Sequence, residues 1–229
     1  MEQPTPDLTG RKALVLGAND PMAAAIALAL AHAGADVAVT NTTGDPEEAF
    51  GLRPLRRAIE ATGRQAIADI ADLGNGSSVQ IAVRQIAKQF GRLDLLVIAA
   101  SEGTNKAPER MTDAEWSRAI GYNLGAYFYA CRAVAKEFAD NEPVDGVRGR
   151  IISLLPAVDA SPGSAVRRAA RAGAEALVTA LAQEWAKEGI FVTGLAPEAG
   201  ASEAAVAGAA LRLARASIHE TGRVVALSP

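Results

Sequence analysis

GRIISLL (residues 149–155), RRAARAGAEALVTALAQEWAKEG (167–189) and IFVTGLAPE (190–198) follow one another as strand, long amphipathic helix and strand. The two outer runs are short and apolar, as strands buried on both faces are, and the segment between them is rich in helix formers. This succession decides the fold, because a strand, a helical crossover and a second strand make a parallel pair.

The same alternation extends outward to both sides. KALVLG (12–17) is an apolar run ending in Gly, PMAAAIALALAHAG (21–34) a helix with Gly34 placed as its C-cap, and ADVAVTNT (35–42) a second strand. LRPLRRAIEATG (52–63) reads as a helix, AIADIAD (66–72) as a short strand, SVQIAVRQIAKQFG (78–91) as a helix and LDLLVIAA (93–100) as a fourth strand. A single helix is expected over 112–139, opened by the capping residues Thr112, Asp113 and Glu115. After the 149–198 unit come a last helix (204–217) and a closing strand, GRVVALS (222–228). The expected class is α/β: one Rossmann-type, doubly wound parallel sheet of about seven strands with helices on both faces. One domain over 1–229 is expected, with 1–8 as a short polar tail.

Bulk properties bound the function. With 49% hydrophobic residues the chain can bury a substantial core, and its net charge of −3 offers no global basic field for nucleic acid. No apolar run approaches the length of a membrane span, and the polar start does not read as a secretory signal. The one cysteine, Cys131, fits a reducing compartment, so a cytoplasmic location is expected. His32 and His219 have no acidic or cysteine companions at ligand spacing, so no metal site is expected.

From LTGRKALVLGA to TGRVVALSP the chain resembles the short-chain dehydrogenase/reductase family. The resemblance implies NAD(P)-dependent oxidoreduction and lets each family position be checked here. The family's first turn, Thr-Gly-x-x-x-Gly-x-Gly, brings backbone close to the cofactor pyrophosphate at a helix N-terminus. Here it reads Leu16-Gly17-Ala18-Asn19-Asp20-Pro21-Met22-Ala23, keeping one glycine and adding an acidic residue. Asn-Asp-Pro also reads as a plain helix start with Pro21 in its first turn. Asn41, with Thr42 and Thr43 beside it, stands where NAD-preferring relatives carry an acid. Asp69-Ile70 matches the pair that frames the adenine, and Asn-Asn-Ala-Gly is replaced by Ile98-Ala99-Ala100-Ser101. The candidate cofactor-binding residues are therefore Gly17, Asn19, Met22, Asn41, Thr42, Asp69, Ile70 and Ala99. Binding is expected to be absent or weak, with NADP(H) slightly favoured over NAD(H).

The resemblance also implies a Tyr-x-x-x-Lys pair, a Ser and an Asn as the catalytic set. Aligned on Ala172-Gly173, the Tyr position holds Arg167 and the Lys position Arg171; the Ser falls at Leu155 or Pro156; Asn123 is retained. A guanidinium does not exchange protons near neutrality, so Arg167 cannot do the phenol's work. Ser153, Ser161 and Ser164 are nearby hydroxyls, one in a strand and two suited to a helix start. No Tyr follows Tyr129, and EAGASEAAVAG (198–208) leaves little room for a substrate lid after Pro197-Glu198.

A catalytically silent structural or regulatory subunit is the expectation this supports. Its partners would be copies of itself or an active paralogue, joined through helices 112–139 and 164–188, which pair across a two-fold axis in the family. Two other readings stay open: an oxidoreductase with altered groups and Arg171 on the ribose, and a nucleotide or small-molecule sensor using the side around Asp69. Tyr122, Tyr127, Tyr129, Trp116 and Trp185 read as packing or interface residues. Arg167, Arg168 and Arg171, with Arg148 and Arg150 just upstream in the sequence, read as a local basic cluster at a helix start: an anion site, an acidic-partner surface or a solvated helix face.

Overall fold

The strands are apolar on both sides because each separates two cores. In β1 (Lys12–Leu16), Leu14 and Leu16 enter one hydrophobic cluster while Ala13 and Val15 enter the other. A computed structural model describes residues 7–101, 106–157, 164–215 and 218–228, apart from the side chain of Ala49. Its sheet has seven strands, all parallel, in the order β3-β2-β1-β4-β5-β6-β7. The others are β2 (Asp36–Thr40), β3 (Ala66–Asp69), β4 (Leu95–Ile98), β5 (Gly149–Leu154), β6 (Ile190–Pro197) and β7 (Val224–Leu227). The expected doubly wound α/β class is what the chain adopts.

One face carries α1 (Pro21–His32), a short α2 (Pro46–Gly51), α3 (Arg53–Ala61) and, far along the chain, α8 (Glu203–Leu213), which packs on α1. α4 (Gly76–Phe90) begins on the Asn75 side chain and ends at Gly91 with φ 81°. It covers the other face with α5 (Asp113–Ile120), α6 (Ala126–Ala139) and α7 (Ser164–Trp185).

Several boundaries differ from the sequence expectation: the strand expected over 66–72 ends at Asp69, the last helix ends at Leu213, and α2 is an added helix. Segment 112–139 is α5 and α6 joined by a π-helical turn, Gly121–Gly125. Asn123 supports that turn by donating its Nδ2–H to the Ala119 carbonyl at 2.8 Å. Helix 164–188 is α7 followed by a 3₁₀ turn, Ala186–Glu188. Leu8, expected in the polar tail, is buried, and its N–H donates to Ala33 O at 2.7 Å; an apolar side chain beside the start of β1 gains more by packing than by solvation. Residues 1–6 of that tail lie outside the described residues.

Candidate active site

The order of the sheet reverses between β1 and β4, and the crevice beyond their carboxyl ends is where a doubly wound sheet binds ligands. A cleft of about 730 Å³ opens there, lined among others by Asp20, Met22, Ala99, Leu155, Pro156 and Glu203. Among the described residues its charged lining is Asp20 and Glu203, both acidic.

The turn after β1 is set by its neighbours. Gly17 has φ 80°, and a Cβ there would stand 2.0 Å from the Ala99 carbonyl oxygen. Glycine is thus required by the approach of β4 as well as by the left-handed backbone. Asn19 Oδ1 accepts a hydrogen bond from the Thr42 hydroxyl at 2.7 Å, linking the turn to the end of β2.

Helix α1 begins on its own acid. Asp20 Oδ1 accepts the N–H groups of Met22 and Ala23 at 2.9 and 3.0 Å. The Asp20 carbonyl accepts Ala24 N–H at 2.9 Å, and Pro21 has no N–H. The donors that a helix start would offer an anion are therefore already satisfied inside the chain.

The remaining candidates on this side are also engaged locally. Asn41 is fully buried; its Oδ1 accepts Ala71 N–H at 3.0 Å and its Nδ2–H donates to Asp45 O at 3.0 Å. Asp69 Oδ1 accepts the N–H of Ile70, its neighbour, at 2.8 Å, while Ile70 itself is exposed. Ala99 is buried and donates its N–H to Leu16 O at 2.9 Å.

On the catalytic side, Leu155 and Pro156 follow β5 directly and both line the cleft. Ser153 is buried in the strand, Ser164 opens α7, and Ser161 lies outside the described residues. Arg167 is buried in the first turns of α7. Arg171 donates from Nε to Glu175 Oε1 at 2.9 Å and from Nη1 to the Pro156 carbonyl at 3.3 Å, which ties α7 to the chain beyond β5. Arg167, Arg168 and Arg171 lie on α7 beyond the carboxyl end of β5, whereas Arg148 and Arg150 lie at its amino end, because the strand between them spans the sheet.

One residue read from the sequence as packing does so beside the site. Tyr127 lies one turn after Asn123, and its ring is buried between β4 and β5. The hydroxyl is 2.6 Å from Leu154 O and 3.2 Å from Ala100 O, the carbonyls at the two strand ends. Burial pushes this phenol above its ordinary range. It holds strand ends together and is not among the described residues that line the cleft. The i, i+4 spacing from Asn123 was the available signal.

These features sit on a known framework. The family model for short chain dehydrogenases matches residues 11–210. A hydroxynaphthalene reductase of Aspergillus fumigatus is 30% identical over 83% of this chain and 66% of its own length. A 3-oxoacyl-[acyl-carrier-protein] reductase of Staphylococcus epidermidis is 32% identical over 82% of this chain and 74% of its own. A subunit of (2S)-[(R)-hydroxy(phenyl)methyl]succinyl-CoA dehydrogenase from Thauera aromatica is 29% identical over 83% and 73%. Among solved structures, a metagenomic short-chain oxidoreductase in complex with NADP superposes with a TM-score of 0.84 at 28% identity, covering 97% of this chain and 98% of that one. A short chain dehydrogenase from Mycobacterium smegmatis does so with a TM-score of 0.84 at 26% identity, covering 100% and 98%. The chain belongs to the short-chain dehydrogenase/reductase family of oxidoreductases.

Proposed function

We propose that this chain is a non-catalytic member of its family: a structural or regulatory subunit that assembles with copies of itself or with an active relative. The observation that carries this reading is the Asp20 carboxylate on the Met22 and Ala23 amides. A dinucleotide's pyrophosphate needs free N–H groups at that helix start, and it would meet a carboxylate instead. The residues present do not fit the cofactor. The proton chemistry is short of groups as well, since Leu155 and Pro156 have no hydroxyl and Arg167 does not titrate near neutrality. Support for assembly comes from the Thauera relative, whose name makes it one subunit of a dehydrogenase.

The comparisons favour a second reading, that of an NAD(P)-linked reductase with an atypical site. Relatives at 30% and 32% identity are named as reductases, a structural neighbour was solved with NADP, and the cleft beyond β1 and β4 is open. In this reading Arg171 leaves Glu175 to hold a ribose.

Calorimetric titration with NADPH and then NADH separates the two. The non-catalytic reading expects dissociation constants no tighter than about 1 mM, roughly 4 kcal/mol of binding or less. Micromolar affinity, with carbonyl turnover that Arg171→Ala abolishes, would replace it with the reductase reading.

A further inference from the structure

The amino end of the sheet, opposite the cofactor crevice, carries a second cleft of about 540 Å³. Three guanidiniums converge on it: Arg11 just before β1, Arg150 within β5 and Arg215 just past α8. Their proximity registers on Arg150. Burial first, then the like charges of Arg11 and Arg215, pull its pKa below the ordinary arginine value, and the nearby Asp145 and Asp94 only oppose the shift.

Asp94, the buried acid of this cleft, is heavily shared. It accepts from Arg92 Nη2 at 2.7 Å, from Arg11 Nη1 at 3.4 Å and from Lys12 N–H at 2.9 Å. Arg148, also at the rim, donates to the Ala139 and Asn141 carbonyls. Among the described lining residues arginines outnumber carboxylates, Arg11, Arg148, Arg150 and Arg215 against Asp7, Asp94 and Asp145, although the whole chain carries a net charge of −3.

Apolar side chains form part of the walls. Arg150 stands in register between Leu95 and Phe191 on the flanking strands, its guanidinium 5.7 Å from the Phe191 ring centroid. The Asp145-Gly146 turn, with φ values of 52° and 77°, closes a tight hairpin between Val144 and Val147 at the edge. Groups held in this way lose little freedom when a ligand arrives.

We propose that this cleft binds a small phosphorylated molecule, its phosphate held by Arg150, Arg215 and Arg11 and its organic part against Phe191 and Leu95. Guanidinium forks match phosphate oxygens, and a dianion adds negative charge where arginines outnumber carboxylates. The cleft lies at the other end of the sheet from Asp20, so it stands or falls independently of dinucleotide binding.

The test is calorimetry on the whole protein with phenyl phosphate and with inorganic phosphate, at ionic strength held constant with chloride. Saturable binding is expected, tighter for phenyl phosphate. It should weaken at least about tenfold in Arg150→Gln and in Arg215→Gln, and be unchanged in Arg168→Gln, an exposed position on α7. No saturable heat with either probe, or one affinity in all four proteins, would overturn the proposal; equal affinity for the two probes would remove its organic half. Should Arg150→Gln not fold, Arg215→Gln, at an exposed site, decides alone.

Discussion

At the scale of single residues, the site is defined by side chains that satisfy their own surroundings. Asp20 takes the amides of α1, Asn41 bridges Ala71 and Asp45, Thr42 reaches Asn19, and Tyr127 reaches the carbonyls that end β4 and β5. Tyr127→Phe tests what the last of these contributes. The ring would keep its place, so packing is conserved, but a buried donor to Leu154 O and Ala100 O is lost. The expected cost is about 1–2 kcal/mol, the range for a buried hydrogen bond whose acceptor is left unmet. Urea unfolding should show a lower midpoint at unchanged slope. An unchanged midpoint would mean that these carbonyls are satisfied without the phenol. Part of this was legible in the sequence: a carboxylate before Pro21 reads as a helix start. That one oxygen serves two amides, or that Tyr127 reaches two strand ends at once, depends on three-dimensional approach and has no local pattern.

At the scale of elements, capping decides more than propensity. Thr112 opens α5 with a reciprocal box, its hydroxyl accepting Glu115 N–H at 3.3 Å while Glu115 Oε2 accepts Thr112 N–H at 2.8 Å. Hydrogen bonds from Lys106 first, then from Thr112, bring the Glu115 carboxyl from 4.5 down to about 2. A depressed carboxylate pKa contributes stability that is fully present above 4.5 and is lost as pH falls towards about 2. Thermal unfolding should therefore fall less steeply between pH 5 and 3 in Glu115→Gln than in the parent, with the parent higher at pH 7. The group is exposed, so the difference should shrink in high salt. Parallel acid limbs would show that the box contributes nothing. The Thr-x-x-Glu signature made this helix start readable from sequence. The π-helical turn at Gly121–Gly125 was not, because an inserted residue leaves the run of helix formers intact, and only the Asn123 bond to Ala119 marks it.

At the scale of the whole molecule, the sheet was legible because every central strand is buried on both faces and so reads as an uninterrupted apolar run. What a sheet cannot encode is the company it keeps. Trp116 is 47% exposed and lines a groove between the starts of α5 and α7 with Val166, while Phe128 on α6 is 44% exposed beneath the Arg132 guanidinium. Aromatic rings left in water on the helices proposed for assembly gain by covering one another or a partner. The chain is therefore expected to run as a dimer or larger species in size-exclusion chromatography with light scattering, alone or mixed with an active relative. Phe128→Glu should weaken that association by about a hundredfold or more, since an unpaired carboxylate forced into an apolar interface costs several kcal/mol. Far-ultraviolet circular dichroism must stay unchanged for the comparison to count, as expected for an exposed position. A parent that is monomeric at high concentration, both alone and with the relative, would remove assembly from the proposed function and leave only its lack of catalysis.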